Sequence, residues 1–210
     1  MQPRGVGPPD PRADPQFVWL VGSRAVGLAI LAYLAWRVWA RGYTAEDYLA
    51  GKWPGGFVLG ILSGADLVFH EAGHWIFAVL GEFIAILGGS LNQVLIPAIC
   101  TGAFLRQRKY ASAAVPLFWT GESMTAVALY ASDARDRLLP LLGGDTAGHD
   151  WGNILTRLGL LHRAGVVGGV IFAMGMTLVL AAVALMVAEV VRVWQNPGPV
   201  LESVHGPGRD

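Results

Sequence analysis

The sequence predicts an all-α, polytopic membrane protein, and three observations carry that expectation. Of its 210 residues 54% are hydrophobic and only 14% are charged, where a soluble domain carries about a quarter charged residues. The apolar residues gather in blocks of roughly 20 or more, the length of a helical bilayer crossing. The two ends, by contrast, are rich in Pro and Gly and lack apolar runs.

In chain order, residues 1–16 hold five prolines and read as a disordered tail rather than a cleavable signal peptide. Residues 17–40 then form the first span, an uncleaved anchor. Thr44 and Asp47 are a capping pair for a short helix beginning near Tyr48 and Leu49. The second and third spans, 55–80 and 83–105, are separated only by Gly81 and Glu82, which implies a tight hairpin or a re-entrant third segment. Gly88, Gly89, Ser90, Asn92, Gln93 and Pro97 make the third span the least regular, and such backbone is tolerated only beside protein or a water-filled cavity. Residues 110–131 form the fourth span and 164–191 the fifth, followed by a second disordered tail over 192–210.

Between the last two spans lies Gly143-Gly144-Asp145-Thr146-Ala147-Gly148-His149-Asp150-Trp151. Beyond it Trp151, Ile154, Leu155, Leu158 and Leu161 recur at helical spacing, an amphipathic helix expected at the membrane interface with Asp150 as its N-cap. Most tryptophans fall near span ends, as in an aromatic belt. About five crossings would put the Gly81–Glu82 turn and the 132–163 segment on one side of the membrane. The basic loop with Arg106, Arg108 and Lys109 falls on the other, assigned to the cytoplasm. The expected location is the cytoplasmic membrane of a prokaryote.

The residues that suggest chemistry are His70-Glu71-Ala72-Gly73-His74, inside the second span. A helix brings i and i+4 to one face, so both imidazoles reach one zinc ion while Glu71 can take a proton from a metal-bound water. Ionisable groups inside a span are costly, so three in this order point to function. A catalytic zinc needs a third protein ligand, for which His149 and Asp150 are the candidates, carried on a Gly-rich loop that folds back. Glu122 and Asp133 are alternative ligands or proton relays. Asn92 and Gln93 are candidates for positioning a substrate backbone or an oxyanion. Cys100 is the only cysteine, which excludes an intramolecular disulfide and a cysteine cluster. Lys plus Arg equals Asp plus Glu at 15 each, so charge gives no reason to expect a nucleic-acid partner.

The motif within a spanning helix, together with a later carboxylate or histidine, resembles the membrane-embedded metalloproteases of the site-2 protease group. That resemblance implies zinc held by His70, His74 and a distant Asp, which favours Asp150 over His149. It also implies Glu71 as the activator of water and a membrane or near-membrane peptide as substrate. The expectation is therefore an intramembrane zinc metallohydrolase acting on a peptide. Two other classes use the same features. One is a membrane protein that moves or senses a divalent ion without hydrolysis. The other is an inactive scaffold that binds partner helices through Gly165, Gly168, Gly169, Ala173 and Gly175.

Overall fold

The computed structural model describes residues 10–140 and 148–197, and among these the regular structure is entirely helical. Helix α1 runs Pro15–Arg41, α2 Ala45–Leu49, α3 Phe57–Phe77, α4 Glu82–Arg106, α5 Tyr110–Ser132, α6 Asp150–Arg157 and α7 Ala164–Gln195. Residues 1–9 and 198–210 of the expected tails, and 143–147 of the Gly-rich segment, lie outside the described residues. The described ends are more ordered than the tails foresee. A 3-10 turn forms at Pro11–Ala13, Asp14 caps α1 by accepting from the Gln16 N–H at 2.7 Å, and α7 continues to Gln195.

Among the described residues three helices are long and apolar enough to cross a membrane: Pro15–Arg41, Glu82–Arg106 and Leu161–Gln195. The second and fourth of the expected crossings, α3 and α5, do not reach that level of apolarity. Helix α3 carries Asp66, His70, Glu71 and His74, and α5 carries buried Thr120, Glu122, Ser123 and Thr125. Asp66, His70 and these polar groups of α5 are buried in the bundle, whereas Glu71 is exposed.

Helix α5 is the centre of the bundle, with more than half of its residues buried. It lies along α7 at backbone contact. A Cβ on Gly121 would stand 2.6 Å from the Gly175 carbonyl oxygen, and one on Gly168 would stand 2.8 Å from that of Ala128. Small residues allow this approach, which replaces side-chain packing by backbone-to-backbone van der Waals contact. Gly168 and Gly175, two members of the stripe considered for partner helices, are therefore occupied within the chain. Helix α1 packs on α7 and α5 through Leu31, Leu34, Val38, Val179, Ala182 and Met186.

Two local expectations resolve differently. Thr44 and Asp47 do form a capping box on α2, each side chain accepting from the other's backbone N–H at 3.2 Å. Helix α4, by contrast, is one continuous helix from Glu82 to Arg106 rather than an irregular segment. Gly88, Gly89, Ser90, Asn92, Gln93, Pro97 and Thr101 are its buried residues, and they form a single inward stripe. Small and polar residues mark a packing face here, not a break in the helix.

Gly121→Ala should lower stability by about 1–3 kcal/mol, because the added methyl meets backbone that cannot move aside. Gly102→Ala, on α4 with nothing within 4 Å of its added carbon, should be neutral or stabilise by about 0.4–1 kcal/mol. Thermal unfolding in one detergent, read by circular dichroism, compares the two.

Candidate metal centre

Helix α3 presents Asp66, His70 and His74 at i, i+4 and i+8, one face turned toward α4 and α5. Helix α4 returns beside it after Gly81, whose φ of 97° suits glycine. The two backbones then meet at Gly73, where a Cβ would run into the Gly88 carbonyl oxygen and the Asn92 side chain. The hairpin is tied by Asn92 Nδ2, which donates to the Phe69 carbonyl oxygen at 2.7 Å.

That approach sets the two imidazoles. His74 Nδ1 lies 2.9 Å from the Ala85 carbonyl oxygen, which can only accept, so Nδ1 carries the hydrogen. His70 Nδ1 lies 2.8 Å from Gln93 Oε1, while the Gln93 amide nitrogen faces Ser123 O and Oγ at 3.4 and 3.3 Å. The amide is oriented by Ser123, so His70 Nδ1 is also the protonated nitrogen. In the neutral rings both Nε2 atoms then offer lone pairs, and both point at one carboxylate oxygen. Asp150 Oδ2 stands 2.9 Å from His70 Nε2 and 3.3 Å from His74 Nε2. Three lone-pair donors converging on one point repel one another unless a positive charge, a metal ion or a proton on Nε2, lies between them.

The residues fit a metal ion. His70, His74 and Asp150 offer ligand atoms within 4.8 Å of one another, and ligands about 2.0–2.1 Å from a tetrahedral zinc stand about 3.3 Å apart. Imidazoles that donate their other N–H to a carbonyl are the usual metal-binding arrangement. Gly89 supplies the floor. A Cβ there would sit 2.7 Å from both Nε2 atoms, in the space the ion needs. A cavity of about 940 Å³ opens on the other side, lined by His70, His74, Glu71, Tyr130 and Asp150 among others. Glu71 is exposed on its wall.

Helix α6 delivers Asp150. Trp151 Nε1 donates to Ser90 Oγ at 3.0 Å, Trp151, Ile154 and Leu155 are buried, and Arg157 pairs with Glu82. The helix is shorter than its apolar spacing predicts: it ends at Arg157 and packs its apolar face on the bundle, with Leu158 left exposed. The N-cap is His149, not Asp150. His149 Nδ1 accepts from the Gly152 N–H at 3.1 Å, which leaves the hydrogen on Nε2, 3.5 Å from Asp133 Oδ2. With Nδ1 used by the cap and Nε2 facing Asp133, His149 has no lone pair for a metal. Of the two candidates, the structure brings Asp150 to the imidazoles.

The other candidates have different neighbours. Glu122 is fully buried and bonded to Arg41 Nη2 at 2.8 Å, away from the imidazoles. Asp133 accepts from the N–H groups of Leu138 and Leu139 at 2.9 and 3.0 Å. Burial pushes the Asp133 carboxyl up, but the His149 ring and those two N–H groups outweigh it and hold the carboxyl below its ordinary range. Asn92 and Gln93, considered for substrate, are engaged by Phe69, His70 and Ser123.

Sequence reasoning passes over Tyr130 and Arg41, and reads Gly89 only as irregular backbone. The Tyr130 hydroxyl oxygen accepts from the Asp150 N–H at 3.1 Å and its ring lies against His70 and His149, with centroids 5.9 and 4.3 Å away. No local pattern marks it; its only signal is a place near the end of the span that precedes the His149–Asp150 segment. Arg41 is wholly buried, with Nη2 on Glu122 and on Thr125 Oγ1 at 2.7 Å and Nη1 on the Pro54 carbonyl oxygen at 3.1 Å.

No family model, no curated protein and no solved structure matches this chain.

His70→Ala, His74→Ala and Asp150→Ala should each abolish stoichiometric zinc, because two ligands rarely hold the ion. His149→Ala should keep it, while losing about 1 kcal/mol of stability with the cap. Metal content of purified variants by plasma mass spectrometry checks both halves. Zinc lost from His149→Ala but retained in Asp150→Ala would reverse the ligand assignment.

Proposed function

We propose that the protein is a zinc-dependent hydrolase set within a membrane, and that its substrates are peptides. The observation that carries this is the convergence of His70 Nε2, His74 Nε2 and Asp150 Oδ2 beside a cavity with Glu71 on its wall. A structural zinc site is closed by four protein ligands, whereas three ligands facing a cavity leave the position that hydrolysis needs. Zinc would supply a Lewis acid that makes water acidic and polarises a carbonyl.

The chain's own groups do the rest. Glu71 accepts the proton as water attacks the carbonyl carbon, and can return it to the departing amine. The Tyr130 hydroxyl, whose oxygen already accepts from the Asp150 N–H, keeps its own hydrogen for the carbonyl oxygen as charge develops there. Gln93 and the Ala85 carbonyl hold the imidazoles in the tautomer that leaves Nε2 free. The site-2 protease resemblance supports the same roles for His70, His74, Glu71 and Asp150. In this reading α3 and α5 complete about five crossings, their polar faces shielded by α1, α4 and α7. The membrane is the cytoplasmic membrane of a prokaryote.

Ion handling without hydrolysis would use the same three ligands, but it gives no task to Glu71. Glu71→Gln keeps the size of the side chain and removes the proton acceptor. It should retain wild-type zinc and lose about 10²–10⁴-fold in rate. The check is mass-spectrometric detection of cleavage in a library of apolar peptides in micelles. Undiminished cleavage by this variant would remove Glu71 from the mechanism.

A further inference from the structure

The cavity extends well beyond the metal ligands. It follows α3 back toward its N-terminal end, where Trp53, Ser63 and Asp66 form part of its lining. Two of them carry a buried polar atom without a hydrogen-bond partner, Trp53 Nε1 and Ser63 Oγ, while the Asp66 carboxyl meets Glu122 and Ser123. Buried polar atoms are nearly always satisfied, and two orphans on one cavity wall beside a carboxyl group call for a ligand with matching groups. The demand is specific. Trp53 Nε1–H needs an acceptor, the Ser63 hydroxyl takes either, and the Asp66 carboxylate has lone pairs to accept a further donor.

These groups are also held still. The Arg41 guanidinium lies 3.7 Å from the Trp53 ring centroid and is itself fixed by Glu122, Thr125 and the Pro54 carbonyl oxygen. Asp66 is anchored through Oδ1, which accepts from Trp119 Nε1 at 2.8 Å.

The spacing matches one kind of ligand. Asp66 and Ser63 precede His70 by four and seven residues, about 6 and 10.5 Å along the helix axis at 1.5 Å per residue. An extended peptide advances about 3.3 Å per residue, so its second and third residues from the scissile bond fall about 6.6 and 10 Å away. A peptide backbone presents alternate C=O and N–H groups, an acceptor for Trp53 and a donor for Asp66.

We propose that Trp53, Ser63 and Asp66 form a recognition subsite for the backbone of an extended peptide running along α3, engaging the second and third residues from the bond to be cut. This rests on the peptidase reading above and adds the substrate's conformation and minimum length. It accounts for polar groups that the metal centre leaves without a task.

The test uses the full-length, zinc-loaded protein in micelles and oligoleucine hydroxamates of one, two and three residues, built in both directions from the zinc-binding group. In one of the two series, affinity should rise with the second and third residues. Trp53→Phe and Ser63→Ala should each reduce binding of the three-residue compound by about 3- to 10-fold, the worth of one hydrogen bond. Neither should alter binding of the one-residue compound, which touches only the metal end. Asp66→Asn, which exchanges an acceptor oxygen for a donor nitrogen, should act like them. Equal effects on all three lengths, or none on any, would overturn the subsite while leaving the metal centre standing. No binding of the one-residue hydroxamate to wild-type protein would instead overturn the hydrolase reading, and the subsite with it.

Discussion

The candidate metal centre depends on how closely the backbones of α3 and α4 approach at Gly73, Gly88 and Gly89. Side chains at any of the three would hold the helices apart or fill the space beneath the imidazoles. With the helices in contact, the Ala85 carbonyl and the Gln93 amide reach the two Nδ1 atoms, and the tautomer of each histidine follows from that contact. The lone pairs then have one direction left, toward Asp150. A hydrogen-bond pattern set by backbone packing is thereby converted into a ligand field.

Around that hairpin the bundle manages an unusual load of buried polar groups. Arg41 and Glu122, both fully buried, join α1 to α5 across 81 residues of sequence. Such a pair adds little net stability, since desolvation offsets its Coulomb attraction, but removal of one partner leaves a charge stranded at a cost of about 3–5 kcal/mol. Its structural consequence is more definite than its energy. Arg41 fixes Trp53, and Glu122 sits beside the Asp66 end of the cavity. The same polar interior explains why α3 and α5 miss the apolarity of the other long helices while packing among them. Their buried polar groups pack against protein or line the cavity, settings in which lipid apolarity is not required.

Much of this was legible in the sequence where the governing interaction is local. The His70–His74 spacing and the Thr44–Asp47 box depend on residues within one helical turn. The choice between His149 and Asp150 was open, because it turns on which ring nitrogen a helix cap engages and on a tertiary contact with Asp133. Gly88, Gly89 and Pro97 suggested a broken helix because their intrinsic preference favours one; packing of the small residues against α3 reverses that inference. Tyr130 carried no signal beyond its place near the end of its span, since its role arises from a hydrogen bond to a backbone 20 residues away. The apolar face of α6 was readable, but its destination was not. Periodicity says that a face is buried without saying whether lipid or protein buries it.

The central claim is that two imidazoles and one carboxylate share a single metal ion. X-ray absorption at the zinc edge of the purified, zinc-loaded protein tests it most directly. The account predicts a nitrogen and oxygen shell at about 2.0–2.1 Å, outer-shell scattering from two imidazole rings, and no sulfur. A spectrum showing a fully hydrated ion, or fewer than two imidazoles, would contradict it.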